Sequence, residues 1–111
     1  MDMDKATEGK IKELQVLEHS LQSILMQKQA FQMELGETEN AIEELGKTKE
    51  DVYKIVGNIM VKNSKEEILK DLKNKKDLIL LRLKSISGQE KSLSEDSEKL
   101  RKDVLSMIKK D

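Results

Sequence analysis

The sequence predicts a mainly α fold, in which two long antiparallel helices form a coiled-coil arm and a central β-hairpin joins them. Charged residues make up 39% of the chain and aromatic residues 2%, a balance typical of long helices that bury a narrow stripe. Apolar residues recur in heptads on both sides of residues 51–63, and this central stretch instead reads as a β-hairpin. We expect a single domain over residues 1–111, with helix 1 at about 5–46, the hairpin at about 52–62 and helix 2 at about 65–109.

The first helix has a seam of apolar residues over five heptads, and only Lys28 and Thr38 interrupt it. Such a repeat indicates a coiled coil. Gly46 follows the last seam residue and is expected to cap the helix, and either Asp4 or Thr7 is expected to cap its start. The seam positions are Leu14, Leu17, Leu21, Ile24, Lys28, Phe31, Leu35, Thr38, Ile42 and Leu45.

The second helix opens with a predicted capping box, in which the Ser64 hydroxyl accepts from the Glu67 amide and the Glu67 carboxylate reaches back to the Ser64 amide. One side of its seam is apolar throughout, and the other side is mixed. The apolar side consists of Leu72, Ile79, Ile86, Leu93, Leu100 and Met107. The mixed side consists of Leu69, Lys76, Leu83, Glu90, Ser97 and Val104.

Charge supports folding the two helices against each other. The first 50 residues carry 6 lysines and 11 acidic residues, a net charge of −5, and the rest of the chain has a net charge of +4. Folding about Gly57 aligns the seams but leaves Ile24 opposite Glu90 and Thr38 opposite Lys76. A slip of one heptad keeps nearly as many apolar pairs, so the apolar pattern does not fix the register. About 40 helical residues predict an arm roughly 60 Å long.

The central hairpin is predicted to turn at Gly57-Asn58, where glycine supplies a positive φ. Both faces of this hairpin are apolar, and a lone hairpin with open edges is marginal in water. We therefore predict that its strands pair with other subunits and close into an inter-subunit β-barrel; the alternative is a hairpin folded onto its own helices. The predicted assembly residues are Val52, Tyr53, Ile55, Val56, Gly57, Ile59, Met60 and Val61.

Both chain ends are expected to meet at the other end of the arm, which we call the tip. Apolar and methionine side chains there suit contacts with varied partners, and the alternative is that they only complete the coiled coil or fray. The predicted tip residues are Ile11, Leu14, Leu17, Leu100, Val104, Leu105, Met107 and Ile108, with Met1 and Met3 expected to add to them.

Catalysis, cofactor binding and metal binding are not predicted. The chain has no cysteine, its only histidine is His19, and it has no phosphate loop, dinucleotide fingerprint or nucleophile elbow. A net charge of −1 gives no general attraction to nucleic acid or anionic lipid. There is no apolar run of about 20 residues and no signal-peptide core at the start. These features favour a cytoplasmic protein that is not an enzyme.

The stretch VYKIVGNIMVKNSKEEILKDLKNKKDLILLRLKSISGQEKSL resembles the archaeal-type prefoldin beta subunits, and upstream QSILMQKQAFQMELGETENAIEEL is similar to their first helix. The likeness covers roughly residues 14–105. It implies a heterohexamer of two alpha-type and four beta-type subunits with a β-barrel body. It also implies an ATP-independent chaperone that holds unfolded or nascent proteins at the coiled-coil tips and delivers them to a group II chaperonin. The tip residues named above would then contact clients.

A second hypothesis from the residues is a non-enzymatic coiled-coil adaptor or scaffold that binds one folded partner through a helix face. In that case the hairpin would be only a connector. Replacing Ile55 and Ile59 by Asp separates the two hypotheses, because only the barrel hypothesis predicts loss of the oligomer.

Overall fold

The predicted fold class is confirmed: two long helices are joined by a central antiparallel two-stranded hairpin. The computed structural model describes residues 4–109. The elements, in chain order, are α1 (Lys5–Lys47), β1 (Val52–Val56), β2 (Ile59–Asn63) and α2 (Lys65–Lys109). None of the helices between residues 4 and 109 combines the length and apolar content that a membrane-spanning helix requires.

The residues fall into two compact units, which are described separately. Among the described residues, the end unit contains residues 4–29 and 84–109, and the hairpin unit contains residues 30–83. Each unit therefore contains part of α1 and part of α2, and the hairpin unit also contains both strands.

The start of α1 is capped by Asp4. The Thr7 amide donates a hydrogen bond to Asp4 Oδ1 at 2.7 Å, as expected for an N-cap carboxylate. Hydrogen bonding from the Thr7 side chain, and then from its amide, lowers the pKa of the Asp4 carboxyl below its ordinary value. Thr7, the other predicted cap, is instead buried.

The end of α1 differs from the sequence prediction, because Gly46 does not cap it. The helix continues to Lys47, and the Thr48 amide donates to the Glu44 carbonyl at 3.1 Å. The Lys65 ammonium reaches from the first turn of α2 to the carbonyls of Gly46 at 3.4 Å and Thr48 at 3.0 Å. Since a lysine binds these terminal carbonyls, a glycine cap is not needed.

At the start of α2, half of the predicted capping box is correct. The Glu67 amide donates to Ser64 Oγ at 3.1 Å. The reciprocal bond is wrong, because the Ser64 amide donates to Asn63 Oδ1 at 3.0 Å. The side chain of the last residue of β2 therefore takes the amide that Glu67 was expected to bind.

The hairpin turns at Gly57-Asn58, as predicted. Val56 pairs with Ile59 and Val52 with Asn63. Gly57 has a φ of 63° and Asn58 does not have a positive φ, the pattern of a type II′ turn. The register places Val52, Lys54, Val56, Ile59, Val61 and Asn63 on one face, and Tyr53, Ile55, Met60 and Lys62 on the other.

In the end unit, α1 and α2 run antiparallel. Lys10 lies 3.7 Å from Asp103, and Lys28 Nζ lies 2.8 Å from Glu90 Oε2. This resolves the predicted mismatch of Ile24 with Glu90. The Glu90 carboxylate binds Lys28, which lies one helical turn along α1 from Ile24. The buried residues of this unit are Thr7, Ile86, Ser97, Leu100 and Val104.

In the hairpin unit the two helices are also antiparallel. The Arg82 guanidinium lies 5.7 Å above the centre of the Phe31 ring, a cation–π contact. Lys76 lies 3.8 Å from Glu39, and the Thr38 hydroxyl donates to the Glu34 carbonyl at 2.8 Å. These contacts resolve the predicted mismatch of Thr38 with Lys76, because each of the two polar side chains has a partner of its own. The buried residues of this unit are Thr38, Leu45 and Ile79.

The predicted seam is confirmed on both helices. Every a and d position from Leu14 to Leu45 and from Leu69 to Met107 is buried or half-buried. The apolar period therefore identified the packed face of each helix.

Candidate functional site

The hairpin presents apolar side chains to solvent on both of its faces. Ile55 and Met60 are exposed on one face, and Val56, Ile59 and Val61 are exposed on the other. The hairpin therefore does not bury either face against its own helices. We call Val52, Tyr53, Ile55, Val56, Gly57, Ile59, Met60 and Val61 the hairpin surface.

Two solvent-exposed ion pairs involve the strands of the hairpin. Lys54 lies 3.5 Å from Asp71 on α2, and Lys62 lies 3.4 Å from Asp51. Within residues 4–109 the sheet has two strands, each paired with the other on one side. Each strand thus has an outer edge whose backbone groups can pair with a strand of another chain.

At the tip, the start of α1 lies beside the end of α2, as the Lys10–Asp103 pair shows. The structure separates the eight predicted tip residues by exposure. Leu105 is 50% exposed and Ile108 47%, whereas Leu100 and Val104 are buried at 9% and 6%. Ile11, Leu14, Leu17 and Met107 are half-buried. Met1 and Met3 lie outside the described residues.

A shallow open groove of about 270 Å³ runs over part of the tip. Its apolar lining comes from Leu17 and Leu100, and its polar lining from Glu13, Asp96, Lys99 and Asp103. Leu17 and Leu100 thus share this groove with four charged side chains.

Arg101 links the two helices of the end unit. Its guanidinium lies 2.8 Å from Glu18 on α1 and 3.5 Å from Glu98 on α2. The hydrogen bond and charge of Glu18, followed by the charge of Glu98, raise the pKa of Arg101. Both pairs are solvent-exposed, so they contribute more to alignment than to stability.

Some exposed apolar residues were not predicted as site residues. Leu78, Leu80 and Leu81 are exposed on α2, and Met33 is exposed on α1. The sequence could have indicated that these leucines are exposed, because they lie near the seam residue Ile79 but outside the a and d positions of the heptad. Among residues 4–109 there is no group of three His, Cys, Asp or Glu side chains that could hold a metal ion.

Comparison with known proteins identifies the family. The sequence pattern of the family described as "Prefoldin subunit" matches residues 8–111. The chain belongs to this family. Prefoldin subunit beta of Pyrobaculum calidifontis is 40% identical over 86 residues, covering 76% of this chain and 69% of that protein. Prefoldin subunit beta of Archaeoglobus fulgidus is 40% identical over 87 residues, covering 77% of this chain and 75% of that protein.

The structure of this prefoldin family member is similar to a solved one. The crystal structure of the prefoldin beta subunit from Thermococcus strain KS-1 matches with a TM-score of 0.88 and 30% identity, covering 95% of this chain and 94% of that chain. The predicted resemblance to prefoldin beta subunits is therefore confirmed, and membership of the family implies a chaperone function.

Proposed function

We propose that this chain is the beta-type subunit of an ATP-independent holdase that binds unfolded or nascent proteins at its tips and delivers them to a group II chaperonin. The complex would be a heterohexamer of two alpha-type and four beta-type subunits, acting in the cytoplasm without catalysis. Family membership supports the chaperone class. The observation that carries the proposal is the exposure of the hairpin on both faces.

Assembly follows from the hairpin surface. Apolar side chains on both faces of a two-stranded sheet gain free energy only when other chains cover them, at about 25 cal/mol per Å² of apolar area buried. Strand pairing with sister subunits would also satisfy the open edges. A closed barrel removes the edges and covers the inward face, and a further contact with another subunit would cover the outward face.

Client binding is assigned to the tip. Leu105 and Ile108 are about half exposed, although they are large apolar residues. Leu105 follows the buried Val104 and Ile108 follows the half-buried Met107, so exposed apolar groups border the packed seam. Apolar groups without a fixed partner suit unfolded chains, which present apolar segments of varied sequence.

The experiment compares the complex carrying Leu105→Ser and Ile108→Ser with the unaltered complex. We expect the altered complex to lose most of its ability to suppress aggregation of a chemically unfolded enzyme in the absence of nucleotide. Its mass by light scattering should not change, because the hairpin surface is intact. The matched control is Leu81→Ser, which removes an exposed leucine of the hairpin unit and should leave client holding unchanged.

Equal holding by the altered and unaltered complexes would show that the tip assignment is wrong. An unaltered complex that binds one folded partner and does not suppress aggregation would favour the adaptor hypothesis. Delivery is tested separately, by adding a group II chaperonin with ATP to the client-bound complex and measuring the recovered client activity.

A further inference from the structure

One side of the hairpin unit carries an exposed leucine beside an exposed glycine. The Lys76–Glu39 ion pair marks this side, because it joins α2 to α1 there across 3.8 Å. Residues three or four positions apart lie on the same face of a helix. Leu80 on α2 and Gly36 on α1 therefore lie on the same side as the ion pair, and each is about one helical turn farther from the hairpin. Leu80 is 44% exposed, and Gly36 is also exposed.

The same side carries opposite charges on its two helices. Lys73 lies three residues before Lys76 on α2, and Glu43 lies four residues after Glu39 on α1, so both are about one turn nearer the hairpin. Glu43 also pairs with Lys47 of its own helix at 3.3 Å, and both of these side chains remain exposed. The α2 half of this side is therefore basic and the α1 half is acidic. We call Gly36, Glu43, Lys73 and Leu80 the side face.

Gly36 leaves room on the side face for a side chain from another molecule. A Cβ built at this position meets no atom within 4 Å, so the packing of the single chain does not require glycine there. Glycine inside a helix lowers its stability relative to alanine, because glycine loses more conformational freedom on folding. What glycine offers in return is a bare backbone that another chain can approach closely. A leucine of a second chain fits such a position.

A second copy of this chain matches the side face in both charge and position. When two copies face each other across a two-fold axis parallel to their helices, α1 of each copy meets α2 of the other. Glu43 then lies opposite Lys73 and Gly36 opposite Leu80, because each pair lies at the same height along the helices to within about 1.5 Å. A two-fold axis across the helices would set α1 against α1, so like charges would meet. The charges therefore favour the arrangement in which both hairpins lie at the same end.

We propose that the side face binds the side face of a second copy of this chain, with Leu80 of each copy packed over Gly36 of the other. The inference rests on the proposed function and deepens it, because it states which face of one beta-type subunit adjoins another. One leucine from each copy buries too little area to hold two chains together alone. The hairpin surface brings the copies together, and the side face then fixes how their helices lie against each other.

The test places one cysteine in each chain, which has none of its own. A complex assembled from equal amounts of Leu80→Cys and Gly36→Cys chains is mildly oxidised. Covalent dimers are measured on a denaturing gel, and mass spectrometry identifies the linked residues. The control complex combines Leu78→Cys with Gly36→Cys. Leu78 is 48% exposed, close to the 44% of Leu80, but it lies one turn from Lys75, whose ion pair with Glu34 is on the other side of the unit.

We expect dimers linked between residues 80 and 36 to form several-fold faster than dimers linked between residues 78 and 36. Adding Lys73→Glu to the Leu80→Cys chain should slow the linking. Adding Glu43→Lys to the Gly36→Cys chain as well should restore it, because the two charges are then exchanged. Equal rates in the two mixtures, or no covalent dimer in either, would overturn the contact.

The outcome for the contact is separate from the outcome for the proposed function. The tip lies in the end unit, so the reduced cysteine variants should suppress client aggregation as well as the unaltered complex does. An unaltered complex that holds no client would refute the holdase function, while a link between residues 80 and 36 in the same complex would still support the contact. Normal client holding without that link would refute the contact alone.

Discussion

The start of α1 depends on one carboxylate. Asp4 accepts the Thr7 amide, and the pKa of Asp4 is lowered by hydrogen bonding from Thr7. Because the folded pKa lies below the ordinary value of 3.8, the stabilisation from this carboxylate is fully present above that value and is lost as the pH falls through the folded pKa. We expect Asp4→Ala to speed amide hydrogen exchange of Thr7 at neutral pH, measured by NMR.

Asp4→Asn is the matched control for this cap, because asparagine caps helices about as well as aspartate but carries no charge. Thr7 exchange in that variant should stay close to that of the unaltered chain at neutral pH and should no longer respond to acid through residue 4. An Asp4 carboxyl that titrates at or above 3.8 in the unaltered chain would contradict the assignment.

The hairpin as an element depends on the conformation of Gly57. Its φ of 63° lies in the left-handed region, where a side chain costs about 1–2 kcal/mol. We expect Gly57→Ala to lower the free energy of unfolding by about that amount, measured by urea denaturation. Gly36→Ala is the control within the same unit, since a Cβ there meets no atom within 4 Å and should raise helix stability by about 0.5–1 kcal/mol. Similar effects of the two substitutions would contradict the turn assignment.

The packed faces of the helices could be predicted from the sequence, but the hydrogen bonds that cap the helix ends could not. Burial repeats with the heptad, so position alone identifies each seam residue. A helix end takes its hydrogen bonds from whichever polar group lies nearby, and here Lys65 binds the carbonyl of Gly46, 19 residues away. The Lys28–Glu90 pair could not be assigned for a related reason, because long side chains reach a full turn along the partner helix.

At the scale of the whole molecule, the exposure of side chains on the hairpin was easier to predict than their exposure at the tip. Successive side chains of a strand point to opposite faces, so the consecutive apolar residues of the two strands place apolar groups on both faces of the hairpin. At the tip, exposure depends on which apolar residues the opposite helix covers. The sequence pattern therefore grouped Leu100 with Leu105, whereas the structure shows that Leu100 is buried and Leu105 is exposed.

The largest effect of a single substitution is expected on assembly. Ile55 and Ile59 lie on opposite faces of the hairpin, and both are exposed in the single chain. If other subunits cover both faces, each change to Asp removes about 1.5–3 kcal/mol of burial per contact, and weakens association roughly ten- to a hundredfold before the cost of the buried charge is added. We expect Ile55→Asp and Ile59→Asp each to reduce the mass measured by light scattering toward that of the monomer.

Met26→Asp is the control for this change in mass, because Met26 on α1 and Ile55 on the hairpin are both 71% exposed. Equal exposure means that the two substitutions lose a similar amount of burial in the single chain, so a much larger loss of mass in the Ile55 variant arises from what covers the residue in the assembly. Loss of the oligomer in the Ile55 variant alone would show that one face of the hairpin is covered and the other remains in solvent. An unchanged mass in both hairpin variants would mean that the hairpin is only a connector, and the barrel would have to be abandoned.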